Sequence, residues 1–377
     1  MIKRLLIAVV ISLTAVSCSD KAAEYPFTIA HRGCWMSDVA QFTQAESFVV
    51  PENSLEAVRM AALYGYKAIE IDPRFTSDSV IVVMHDGLIN RTMRLAGDNS
   101  VIPDKVRVSE CSFDELRTAY EFQSSDPKMR SRIPTLRELV TECRDCGVMP
   151  LVHCDFFEAY PTVQEIVGDD FIAFGEEFET FRKVREISPC KILLDPSREL
   201  RKRGLEENPA CILALLDELG GDTGISSMKH SLCSKEICDA LKAAGHDVQS
   251  SIFSTPHELE AVRNGATILL SDFCWKPSKG MKPAGEFSRK VCDSLQWRGS
   301  STEYGALVLE MAGCGQWEVE VNGERSYSIS RTTPGTETVS CRYYDREASV
   351  RIRVTSGEGV DVKVSNYAFG NDQINHK

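Results

Sequence analysis

Residues 67–91, KAIEIDPRFTSDSVIVVMHDGLINR, decide how the chain folds. In a strand, residues i and i+2 share a face, so Ile69 and Ile71 pack one way while Glu70 and Asp72 converge on the other. Adjacent carboxylates repel and need a shared proton or a cation; a hard divalent ion such as Ca²⁺ or Mg²⁺ takes oxygen ligands of this kind. A lone Glu-x-Asp pair is more often a solvated strand face, so a metal site requires further ligands. The apolar run 80–84 reads as a second buried strand that delivers His85 and Asp86 to its C-terminal end. That end is where α/β barrels gather their reacting groups.

Upstream, 27–30 is a short apolar run ending in His31-Arg32-Gly33, and Asn53 or Ser54 can cap a helix over 55–64 that Gly65 stops. Downstream, 113–120 looks helical, and Thr135 with Glu138 forms a capping box opening a helix that ends at Gly147. Apolar runs at 148–154, 171–174, 191–195, 224–228, 248–253 and 267–270 then alternate with helical stretches at 178–187, 211–219 and 234–244. A last helix opens at Thr255, Pro256 and Glu258, a second capping box. Strands alternating with helices imply right-handed βαβ units and a parallel sheet. Nine candidate strands compete for eight places, with 224–228 or the closing segment the expected outsider. No helix fits between Asp72 and Val80. The expected fold is therefore α/β: a distorted TIM (β/α)8 barrel over residues 26–275.

Composition shifts at 276–284, KPSKGMKPA, which opens a linker expected to run to residue 291. Beyond it, period-two runs at 307–311, 317–321, 326–330, 338–344, 350–354 and 360–364, with a hairpin turn at Asn322-Gly323, predict a small β-sandwich over 292–377. Trp317, Tyr343 and Tyr344 offer a glycan-binding face, although strand aromatics are more often core.

At the other end, Lys3 and Arg4 precede an apolar core at 5–16, too short and wrongly flanked for a membrane span, so 1–17 reads as a signal peptide. Ala15-Val16-Ser17-Cys18 resembles the lipobox of bacterial lipoproteins. That resemblance implies cleavage before Cys18, acylation of Cys18 and a tether over 18–25 that holds the protein at a membrane surface. Ser19, where an Asp is absent, implies the outer membrane, with the protein periplasm-facing or surface-exposed. An ordinary secretory signal is the alternative, and both imply export. Net charge is −12, and −14 without Lys3 and Arg4; no basic stripe is left to bind nucleic acid. Of fourteen cysteines, thirteen remain without Cys18, so at least one stays unpaired if the others pair within the chain. Cys143 and Cys146 are three apart in a helix, where a buried face is the expected use and redox or metal chemistry the alternative. Cys34 follows the His-Arg-Gly run without a base to activate it.

AHRG at 30–33, PENS at 51–54, AIEID at 68–72, and VVMHD at 82–86 with NRT behind it, then IPTL at 133–136, resemble the glycerophosphodiester phosphodiesterase family, and the likeness extends to Ser271-Asp272. The resemblance implies a metal-dependent hydrolase releasing sn-glycerol 3-phosphate and an alcohol, with His31 as general base and His85 as general acid. Glu70 and Asp72 would be metal ligands, and Arg32, with its planar fork of donors, would hold a phosphate oxygen. The family's Glu-x-Lys on the next strand is absent; the chain reads Leu151-Val152-His153-Cys154-Asp155. In one register His153 replaces the acid and Asp155 the lysine, a donor set suited to Mn²⁺ or Zn²⁺; a shifted register makes Asp155 the ligand, as Ca²⁺ or Mg²⁺ would favour. A satisfied core His153 is the bland alternative. Two further functions stay open: a catalytically silent lipoprotein that binds a phosphorylated or glycan ligand, and a hydrolase of a larger phosphodiester.

Overall fold

The computed structural model describes residues 25–37, 48–227, 230–299, 304–323, 325–344 and 347–369. The expected signal peptide, lipobox and Cys18, and much of the segment after Cys34, lie outside them.

Strand β1 (Phe27–Ala30) leads through the His31 loop to helix α1 (Leu55–Tyr64), whose Ser54 side chain accepts from the Ala57 amide while Gly65 closes it in the left-handed region. After β2 (Ala68–Ile71) the chain leaves the barrel. β3 (Pro73–Phe75) and β4 (Ile81–Val83) form an antiparallel hairpin; β5 (Met93–Leu95), α2 (Phe113–Ala119) and β6 (Tyr120–Phe122) complete an excursion. Its own core includes Val82, Met84, Met93, Leu116 and Phe122. α3 (Leu136–Cys146) re-enters through the capping box at Thr135 and Glu138. The remaining units are β7 (Met149–His153), α4 (Tyr160–Val167), β8 (Ile172–Gly175), α5 (Phe178–Ile187), β9 (Lys191–Leu194), α6 (Ser197–Arg203), α7 (Pro209–Leu219), β10 (Thr223–Ser227), α8 (Lys235–Ala243), β11 (Asp247–Ile252), α9 (Thr255–Asn264) and β12 (Ile268–Ser271).

The barrel closes in the order β1-β12-β11-β10-β9-β8-β7-β2, all pairs parallel. Side chains alternate along each strand. Ile29, Ala68, Leu151, Phe174, Leu193 and Leu270 fill the interior, while Ile71, Val152, Ile192 and Ile225 face the helices. The strand surplus resolves differently from expectation. Residues 223–227 are a true barrel strand, and the outsider is β4: it pairs with β3 and not with the barrel. Five apolar residues cannot reveal whether their partner is parallel or antiparallel. The second capping box also fails: Ser254 is the N-cap of α9 without a side-chain bond, and Glu258 is fully buried elsewhere.

A second, antiparallel unit follows: β13 (Gly285–Val291), β14 (Ser294–Arg298), β15 (Tyr304–Val321), β16 (Arg325–Tyr344), β17 (Ser349–Ser356) and β18 (Val360–Phe369). β13 begins inside the stretch read as linker. β15 and β16 form one long hairpin, each uniting two of the expected short strands. Its turn at Asn322 and Gly323 has positive φ at both residues. A register shift at Gly313/Gly315 divides β15; its first part pairs with β18 and its second with β17. Leu309, Val319, Ile352 and Val362, from both parts, share one core, giving a sandwich-like domain. Trp317 (1% exposed) and Tyr343 (4%) lie inside this unit, so neither belongs to a binding face.

The two units share an apolar interface. Tyr304, Ala306, Tyr367 and Phe369 belong to the same buried cluster as the barrel's outer core. Tyr64 reaches across to the Gly305 and Tyr343 carbonyls, both at 3.2 Å, and the Trp275 amide donates to Ser340 Oγ. The thirteen cysteines from Cys34 to Cys341 are free thiols, and Cys143 is buried on the inner face of α3 as its spacing suggested. Among the described residues no helix is long and apolar enough to cross a membrane.

Candidate active site

Strand alternation places Glu70 and Asp72 at the C-terminal mouth of the barrel, 1% and 6% exposed. β7 runs beside β2 with Glu70 opposite Leu151, so the inward residue two further on, His153, meets both carboxylates. His153 Nδ1 lies 3.3 Å from Glu70 Oε1 and 3.4 Å from Asp72 Oδ1. Phe174 stacks on the imidazole at 4.3 Å and fixes the ring plane. Asp155, the other candidate ligand, lies past the end of β7 and turns away. Its Oδ1 accepts from the Glu176 and Glu177 amides at 2.7 and 3.0 Å, and Arg198 approaches Oδ2. The cluster is therefore Glu70, Asp72 and His153, with donor atoms within 4.8 Å of one another. Glu70 Oε1 is buried and, among the described residues, is met by the His153 Nδ1 ion pair and by no well-aligned hydrogen-bond donor. A buried carboxylate facing a second carboxylate and an imidazole fits a divalent cation.

Electrostatics point the same way. Burial pulls the His153 pKa down, but the bonds and charges of Asp72 and Glu70 outweigh it and push the group up to about 10. Asp72 is likewise opposed by burial, yet His153, His85 and Arg32 hold it well below the carboxylate range. An imidazolium at His153 answers the same pair of carboxylate charges that a divalent cation would.

The two other histidines occupy contrasting settings. His31 follows β1, with Nδ1 at 2.7 Å from Asp272 Oδ1; Trp35 Nε1 donates to the same oxygen at 3.0 Å. Burial lowers the His31 pKa, and Asp272 more than offsets this, leaving it above the ordinary histidine value. Arg32 adopts φ +56°, and its amide donates to Glu70 Oε2 at 2.8 Å. Gly33 then turns at φ +79°, against α1 so tightly that a Cβ would stand 2.8 Å from that of Ala57. His85 lies on the excursion, with 36% of its side chain exposed, and its Nδ1 is 2.7 Å from Asp86 Oδ1. Arg74 bonds the Met84 and His85 carbonyls and fixes the backbone there.

Glu52 ties the settings together. Its carboxylate, 1% exposed, accepts from Arg32 Nη1 and from Arg91 Nη1 and Nη2, while Arg91 Nε donates to Asp86 at 2.6 Å. Asn53, at φ +55°, donates Nδ2 to Asp72 Oδ2 and accepts the Asp72 amide, so it is an anchor for the acid pair, leaving the cap to Ser54. The sequence assigns no role to Asp272, Trp35, Glu52, Arg91 or Phe174, and to Asn53 only that of a helix cap. Glu52, Asn53 and Arg91 stand inside the PENS and NRT motifs, so a signal was present; nothing local marks Trp35 or Phe174.

A closed parallel barrel that assembles two carboxylates and three histidines at its C-terminal mouth defines a barrel protein with a candidate hydrolytic metal centre. Residues 31–189, within the barrel, match the model of the Glycerophosphoryl diester phosphodiesterase family. Over 120 residues it is 37% identical to Glycerophosphodiester phosphodiesterase 1 of Rattus norvegicus and 34% identical to that of Homo sapiens, each match covering 30% of this chain and 29% of the relative. The chain thus spans under a third of the length of these relatives. A crystal structure from Silicibacter pomeroyi DSS-3, assigned to glycerophosphoryl diester phosphodiesterase, aligns with TM-score 0.50 and 18% identity over 65% of this chain and 89% of that one, a likeness of fold.

Proposed function

We propose that this protein is a divalent-metal-dependent phosphodiester hydrolase that cleaves glycerophosphodiesters to sn-glycerol 3-phosphate and an alcohol. The observation that carries the proposal is the buried cluster of Glu70, Asp72 and His153 within the segment matched by the family model. These three residues would hold the metal, and the metal supplies positive charge to the non-bridging phosphate oxygens. The mixed O, O, N donor set favours Mn²⁺ or Zn²⁺ over Ca²⁺ or Mg²⁺.

The chain's own groups divide the proton transfers. His31 has Nδ1 committed to Asp272, so Nε2 is left to take the proton of the attacking oxygen. As that oxygen bonds to phosphorus, the bond to the alcohol oxygen breaks, and His85 donates the proton that the leaving alcohol needs. Arg32, 17% exposed and anchored on Glu52, is placed to hold a phosphate oxygen. Titration calorimetry with Mn²⁺ tests the centre directly: the wild-type chain should bind one ion, and Asp72→Asn or His153→Ala should weaken binding at least tenfold. Unchanged binding in both variants would remove the proposed centre. We further propose an exported, Cys18-acylated protein; labelling with a fatty-acid probe that survives Cys18→Ala would contradict it.

A further inference from the structure

Isolating a charged guanidinium from water is costly, so a buried arginine marks a place where something holds it. Arg342 comes from the second half of β16, in the C-terminal unit, and is 2% exposed. Its guanidinium crosses into the barrel: Nη1 donates to Cys34 Sγ and Nη2 to the backbone carbonyl of Asp272. It lies over the Tyr66 ring at 5.4 Å, a cation–π contact that partly compensates its charge. The Asp272 carboxylate adds to the field that keeps it charged.

The two groups that Arg342 grips are not scattered. Cys34 lies three residues beyond His31, in the loop leaving β1, and Asp272 follows β12, the barrel neighbour of β1. One guanidinium therefore clamps together the C-terminal ends of the two strands whose loops carry the His31–Asp272 pair. The Asp272 carboxylate already bonds the His31 and Trp35 ring nitrogens, so its backbone sets how well it faces the imidazole.

We propose that Arg342 is a positioning residue for His31, so that the C-terminal β domain is an integral part of the active site and not an independent binding module. This deepens the hydrolase proposal above and rests on His31 acting as its base. The clamp fixes Asp272, Asp272 fixes the tautomer and plane of His31, and the proton acceptor is thereby held in line. Misplacing such a group by an ångström is enough to cost about 10²-fold in rate.

The full-length chain tests this with Arg342→Met, Arg342→Lys and Arg263→Met. The last breaks a cross-domain pair between Arg263 and Glu337 and controls for loss of interface stability. Two readouts are taken: the downfield proton resonance of the His31 Nδ1–H to Asp272 bond, assigned by its loss in His31→Gln, and kcat and KM on glycerophosphocholine. Arg342→Met should lose or broaden the resonance and lower kcat at least tenfold with KM within about twofold; Arg342→Lys should recover part of both, and Arg263→Met should change neither. If Arg342→Met does not fold, Arg342→Lys decides through the same resonance. A folded Arg342→Met with wild-type resonance overturns the proposal. If the wild-type chain turns over no phosphodiester but the resonance depends on Arg342, the hydrolase reading fails while the clamp stands.

Discussion

The two histidine settings differ in how the fold secures them. His31 sits on the barrel frame, 17% exposed, facing a carboxylate that is itself buried and bonded by Trp35. His85 rides on an excursion with a separate core, more than twice as exposed, and its partner Asp86 is shared with Arg91 near solvent. A group that must accept a proton benefits from a fixed tautomer and a dry partner. A group that must give its proton to a departing alcohol can stand at the mouth, where solvent re-protonates it. Under the proposed mechanism, the difference teaches that the barrel builds the base and an insertion brings the acid.

The contrast can be broken at several points. Either His31→Ala or His85→Ala should lower kcat by about 10³-fold, the range expected for loss of a general acid or base; steady-state kinetics at saturating metal would show it. The asymmetry itself appears one step out. Asp272→Asn should lower kcat roughly 10²-fold, and Asp86→Asn only about tenfold, because solvent screens the exposed pair and Arg91 remains. Equal effects would erase the distinction. Asp272 raises the His31 pKa, so the acid limb of the kcat/KM profile should lie above the ordinary histidine value and move down in Asp272→Asn.

His153→Glu sharpens the metal side. An all-carboxylate set should shift the ratio of Mn²⁺ to Ca²⁺ dissociation constants toward Ca²⁺ by at least tenfold, measured by competition calorimetry.

The smallest effect on turnover, and a separate one on stability, concerns Glu258 at the domain boundary. Its carboxylate accepts from Tyr25 at 2.8 Å and Tyr327 at 3.3 Å, and burial pushes its pKa up to about 7 despite those bonds and Arg325. A carboxyl raised in the folded state binds more protons there than in the unfolded chain. Its stabilisation is full below the ordinary carboxylate value and declines as pH rises toward 7, by about 3 kcal/mol in total. Glu258→Gln should flatten that decline in denaturant unfolding followed from pH 4 to 8.

What the sequence made legible follows from the range of the forces involved. Capping at Ser54 and Thr135, the paired carboxylates of β2 and the Asn322-Gly323 hairpin are local chemistry, and the structure carries each of them. The antiparallel pairing of β4 and the merging of short runs into the β15–β16 hairpin depend on partners far away in the chain, which periodicity does not encode. His153 against Asp155 was a register question with two self-consistent answers; the end of β7 at His153 decides it. Arg342 lies 308 residues from Cys34, and no local pattern connects them.

The central claim, metal-dependent phosphodiester hydrolysis with His31 and His85 as base and acid, is tested most directly by turnover of glycerophosphocholine after chelation and metal return. Activity should vanish with chelator and return with Mn²⁺ or Zn²⁺ in the wild-type chain, while His31→Ala and His85→Ala stay inactive with metal bound. Turnover that survives chelation, or that either substitution leaves intact, would contradict it.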